Sequence, residues 1–136
     1  MPSIEQFVPQ TKSQPWGEEI LVARVDGLYT GKVLKRYAGE PYHRAGLQAH
    51  PTRDETFFLY SGEAYVYFDP GDGRLRRFHM TPGQSFHVPP GAVHSVQTIG
   101  DSVMFEASMP IVEANIRVED RYRIEDAIDV TAEFTR

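Results

Sequence analysis

Short runs of apolar, β-branched and aromatic residues recur along the chain, each closed by a glycine- or proline-bearing break. The breaks are Asp26-Gly27, Ser61-Gly62, Pro70-Gly71-Asp72-Gly73, Pro82-Gly83, Pro89-Pro90-Gly91 and Gly100-Asp101. Spacing of this kind, with runs too short for helices, predicts an all-β sandwich or barrel. Strands are expected over residues 19–25, 32–37, 56–60, 63–68, 75–79, 85–88, 94–98 and 102–107. Alternation is clearest in Ser102-Val103-Met104-Phe105-Glu106-Ala107. Val103, Phe105 and Ala107 share one face there, Met104 and Glu106 the other, and one of the two faces is core. Ser61-Gly62 lies between two strand-like runs and predicts a hairpin, because glycine accepts positive φ without steric cost. Only residues 124–128 hint at a helical turn. The polar, proline-bearing start reads as an arm over 1–14, followed by one domain over 15–123 and a tail over 124–136.

At 136 residues the chain has the size of one domain. Its 40% hydrophobic and 12% aromatic content is too rich for a disordered polymer. A formal charge of -5 opposes binding to a phosphate backbone, so nucleic acid is a poor partner. No apolar run is long enough to span a bilayer, and residues 1–15 lack an export pattern, so the expectation is a soluble, cytoplasmic protein without a membrane partner. With no cysteine, any metal site must be built from nitrogen and oxygen ligands.

Gln48 and His50 stand two apart, so in an extended strand their side chains leave the same face. Glu55 follows His50 by five residues, and His94 follows the Pro89-Pro90-Gly91 turn. Imidazoles and a carboxylate are donors that divalent first-row metals accept, and a carboxamide oxygen is a weaker one that completes a set. The other histidines, His43, His79 and His87, read as structural or solvated.

These residues belong to a wider pattern. Gln48-Ala49-His50-Pro51-Thr52-Arg53-Asp54-Glu55, six residues, then Gly62, resembles the first signature of the cupin superfamily. Gly83, five residues, Pro89-Pro90-Gly91, two residues, then His94 resembles the second. The resemblance implies a double-stranded β-helix, the cupin jelly-roll barrel, with a divalent metal ion (zinc, manganese or iron) held by Gln48, His50, Glu55 and His94. Gln48 stands where most cupins carry a histidine, Tyr42 where they carry a glycine, and Thr98 where they carry an asparagine.

Within the superfamily, Pro15-Trp16-Gly17, Lys35-Arg36, Leu47-Gln48-Ala49-His50, Arg53-Asp54-Glu55, Ser61-Gly62-Glu63-Ala64 and the segment around Arg117-Val118-Glu119-Asp120 resemble the C-terminal cupin domain of type II mannose-6-phosphate isomerases. That resemblance implies an aldose–ketose isomerase acting on a sugar or sugar phosphate. It makes Glu106 the candidate base; Lys35 and Arg117 in the catalytic set and Arg53 as a substrate-binding residue are the cations suited to hold a sugar phosphate, arginine by its planar donor fork. It also implies a homodimer, with the polar arm suited to a neighbour's sheet edge. Trp16 is expected to pack against the barrel. Two other classes fit the same motifs: a metal-dependent oxygenase on a small organic substrate, and a non-catalytic cupin that binds a carbohydrate or small ligand.

Overall fold

A computed structural model describes residues 2–36, 42–44, 46–109, 116–118 and 121–130, with only the backbone described for 42–44. Among the described residues eleven strands form: β1 (Gln10–Gln14), β2 (Gly17–Val25), β3 (Tyr29–Arg36), β4 (Tyr42–Arg44), β5 (Gln48–Ala49), β6 (Glu55–Phe68), β7 (Arg76–Met80), β8 (Ser85–Val88), β9 (His94–Ser108), β10 (Ile116–Arg117) and β11 (Ile128–Val130). A 3₁₀ turn at Ile124–Asp126 replaces the anticipated helical turn. The protein is an all-β jelly roll, and among the described residues no helix is long and apolar enough to cross a membrane.

The main ladder runs β1-β2-β3-β9-β6-β7-β11, with β4 and β5 on β9, β8 on β6 and β10 on β5. The pairs are antiparallel except β11 with β7. Residues 10–14 of the arm are therefore an edge strand in register with β2 of the same chain. Residues 128–130 of the tail likewise add a strand.

The anticipated hairpin at Ser61-Gly62 does not form. β6 runs unbroken through it, and β9 likewise runs through Gly100-Asp101. The two strands pair along their whole lengths, and the register slips at 59–61 and 61–63. These bulges bend both strands at the same level. The first half of β6 then pairs with β8, and the second half with β7. One long bent pair thus serves both walls of the barrel. Gly62 has φ +88°, and a Cβ there would lie 2.4 Å from the Asp101 carbonyl oxygen. Glycine is needed at this crossing for close approach as well as for φ, and the tight reversal inferred from its sequence is spent on a bend.

Burial in β9 resolves which face is core. Ser102, Met104, Glu106 and Ser108 point inward, while Phe105 and Ala107 are exposed. The inner apolar cluster centres on Phe57, Leu59, Val66, Phe78, Met80 and Met104. A smaller cluster, Leu47, Tyr67, Leu75 and Val118, packs against Tyr65, Val93, Tyr122 and Ile124. Burying such side chains contributes about 1.5–3 kcal/mol each.

Candidate metal centre

His50, Glu55 and His94 converge from three places in the chain, and one potential ligand atom from each lies within 4.8 Å of the others. His50 follows β5, Glu55 opens β6 and His94 opens β9. Two backbone contacts lock them together. Gln48 faces His94 across the β5–β9 ladder, and the Gly91 amide donates to the His50 carbonyl oxygen at 2.8 Å. The proline-glycine turn before β9 is thereby fastened to the segment after β5 that carries His50. His50 Nε2 lies 3.0 Å from Glu55 Oε1, and His94 Nε2 3.9 Å from Glu55 Oε2.

All three side chains are buried. The His94 Nδ1–H donates to the Ala92 carbonyl oxygen at 3.0 Å, which leaves the Nε2 lone pair facing Glu55. That second hydrogen bond is how a metal-ligating imidazole is usually held in one tautomer. Burial pushes the His94 imidazole down to about 4, so it is neutral and able to ligate at pH 7. Two imidazoles and a carboxylate, with no sulfur, form a donor set that suits a divalent first-row ion such as manganese, iron or zinc.

The depressed His94 carries a stability consequence for the metal-free protein. Unfolded, the imidazole takes up its proton near 6.5; folded, it resists until about 4. Stability from this group is present above the unfolded value and is lost as pH falls from there to about 4. The loss amounts to about 3 kcal/mol at the difference of the two values. Urea titrations of metal-free wild type and His94→Gln at pH 7 and pH 4.5 should show a steeper acid loss in the wild type; parallel losses would refute the buried, neutral imidazole.

Behind the ligands stands a charged group. Arg53 Nε lies 3.1 Å from Glu55 Oε1, an ion-pair distance without hydrogen-bond alignment, and its Nη2 donates to Ser108 Oγ at 2.9 Å and approaches Glu106 Oε2 at 3.5 Å. Burial raises the Glu55 carboxyl above its ordinary value, opposed by Arg53 and His50. Burial, then the Glu55 charge, raises Glu106 too, with Arg53 and Lys32 opposing.

These groups open onto one cavity of about 230 Å³, lined among others by Gln48, His50, Arg53, Glu55, His94 and Glu106. Of the residues singled out from sequence, those six share it and two do not. Lys35 is not part of the lining, because alternation along β3 turns Lys32, Leu34 and Arg36 inward and Lys35 the other way. Arg117 pairs with Gln48 across β10–β5, but it is exposed and also absent from the lining. Arg53 reaches the cavity, yet its guanidinium faces protein carboxylates. Trp16 lines the cavity instead of only packing against the barrel. Sequence reasoning also passed over Lys32, Arg36 and Glu19; carrying the alternation outward from Leu34 would have found the two cations.

A jelly roll with histidines and a carboxylate converging inside is a metal-binding β-barrel. Residues 39–110, more than half of the chain, match the Cupin domain family, and the chain belongs to it. No curated protein sequence matches the chain. Among solved structures it is similar to a mutant of Bacillus subtilis oxalate decarboxylase, with a TM-score of 0.65 and 14% identity over 81% of this chain and 30% of that one. A structure of the same enzyme concerned with its Mn(II) centres gives the same figures. One concerned with the substrate binding mode of oxalate decarboxylase gives a TM-score of 0.64 at 14% identity and the same coverage. At such identity the likeness speaks to the fold, and the chain spans under a third of those proteins.

Proposed function

We propose that this cupin is a metal-dependent isomerase that moves a proton between adjacent carbons of a small aldose or ketose, with or without a phosphate. The observation that carries the reading is Glu106. It is a buried carboxyl on the wall of the cavity that the His50, Glu55 and His94 donors face. A bound divalent ion would polarise the carbonyl and hydroxyl oxygens of the substrate. Glu106 then accepts a proton at its carboxylate from one carbon and returns it to the next, a task for which a raised carboxyl is suited near neutral pH. Arg53 holds Glu106 and Glu55 in fixed relation through its two contacts. Phe57 and Met104 line the same space and limit water around the transferred proton.

A cavity of about 230 Å³ favours a compact substrate. It lies below the roughly 300–1,000 Å³ typical of drug-sized ligands. Incubation of the manganese-, zinc- or iron-loaded protein with short aldoses and hexose phosphates in D₂O should place deuterium beside the carbonyl, read by NMR. Glu106→Gln should lower turnover at least about 100-fold with metal content unchanged. No conversion with any metal and any of these sugars would end the reading.

A second reading has its own support. Two histidines and one carboxylate are the donor set of non-haem iron oxygenases. Oxygen uptake by the ferrous protein, without deuterium exchange, would favour it.

A further inference from the structure

The cavity has a second polar end. Arg36 is only 3% exposed, yet its side chain lines the cavity. It lies four residues along β3 from Lys32, roughly 13 Å at the rise of a strand. Lys32 faces Glu106 across the β3–β9 ladder, whereas Arg36 faces Ser102. Thr98 lines the cavity four residues along β9 from His94, and its buried hydroxyl has no hydrogen-bond partner among the described residues. Both displacements run to the same place, the bend of β6 and β9 beside Gly62, away from the metal ligands.

Charge points the same way. Among the described lining residues, three carboxylates, Glu19, Glu55 and Glu106, stand against three cations, Lys32, Arg36 and Arg53. A divalent ion on the histidines tips the cavity to net positive by its full charge, in a chain whose overall charge is -5. An interior of that sign inside a negative protein selects an anion through close contacts, since the long-range field repels it.

We propose that Arg36 and Thr98 form an oxyanion subsite that holds a carboxylate or phosphate at the end of a short substrate whose other end reaches the metal. The guanidinium presents a planar fork of donors that matches two oxygens of either group, and the Thr98 hydroxyl supplies one more. The inference rests on the isomerase reading for the reacting end only, and it transfers the anchoring role from Lys35 and Arg117, which lie outside the cavity, to Arg36.

The test is calorimetric binding of glycerol, glycerate and glycerol 3-phosphate to the manganese-loaded protein, so that the neutral, carboxylate and phosphate arms share one carbon skeleton. At least one anion should bind roughly tenfold or more tighter than glycerol, the scale of a hydrogen bond to a charged group. Arg36→Gln should remove most of that preference with manganese content unchanged, and Arg36→Lys should keep part of it. Thr98→Val should weaken the anion about threefold and leave glycerol alone, which keeps the test open if the Arg36 variants do not fold. Equal binding of all three ligands, or an anion preference untouched by both substitutions, would overturn the subsite. Because binding is read without turnover, anion preference without isomerisation would sink the function reading and leave the subsite standing; isomerisation without anion preference would do the reverse.

Discussion

His50→Ala and His94→Ala proteins should fold and emerge from purification without stoichiometric metal. Each removes one of the three histidine or carboxylate donors that meet within 4.8 Å among the described residues. Groups that merely orient a ligand are worth about 10–100-fold in affinity, so a ligand itself should cost at least about 100-fold. The barrel survives because its apolar cluster is built mainly from side chains such as Leu59, Val66, Phe78 and Met80, with only Phe57 in ring contact with His94. Elemental analysis gives the occupancy, and thermal unfolding with added manganese gives the linkage. Wild type at about 100 times its dissociation constant gains about 2.7 kcal/mol, and the variants should gain nothing comparable. Full occupancy in both variants would remove His50 and His94 from the ligand set. Gln48→Ala in the same series tests the fourth position, where an unchanged affinity would exclude the carboxamide.

A large loss of stability is expected from Gly62→Ala. The new Cβ would stand 2.4 Å from the Asp101 carbonyl oxygen and 2.7 Å from the Ser102 Cα, both backbone atoms, at a φ of +88°. Backbone strain of this kind costs about 1–3 kcal/mol and overpacking a similar amount, so roughly 3–5 kcal/mol is expected in urea titrations. Gly91→Ala is the control. Its φ is +83°, but nothing lies within 4 Å of the added methyl, so it should show the strain alone. Equal losses at the two sites would refute the crowded crossing of β6 and β9. Because Arg36 faces Ser102 beside that bend, a folded Gly62→Ala protein should also bind substrate poorly.

The His50, Glu55 and His94 cluster was legible from sequence through the resemblance of two motifs to the cupin signatures, each of which also has a local spacing. Gln48 and His50 sit at the strand period, Glu55 begins the next apolar run, and His94 follows a proline-glycine turn that can only be a turn. Strand positions were legible from local spacing, as in 85–88, where burial alternates as the period requires. The error at Ser61-Gly62 has a physical source: a glycine with positive φ serves a hairpin and a bulge equally well, and only the pairing of β6 with β9 distinguishes them. Lys35 and Arg36 are neighbours in the chain and opposite in the barrel. Motif matching weighed them together, whereas one step along a strand reverses the side chain.

By itself the sequence determined an all-β sandwich or barrel and the nitrogen and oxygen character of any metal site, since periodicity, turn chemistry and composition act over a few residues; the resemblance of its motifs to cupin signatures added the jelly roll and the candidate set His50, Glu55 and His94. Tertiary structure alone decided that Glu106 is an inward carboxyl held by Arg53, that Lys35 and Arg117 lie outside the cavity, and that Arg36 lies within it. Those outcomes depend on which strand faces which and on where two long strands bend. Such contacts join residues up to 78 positions apart, as between Thr30 and Ser108, and no local pattern encodes them.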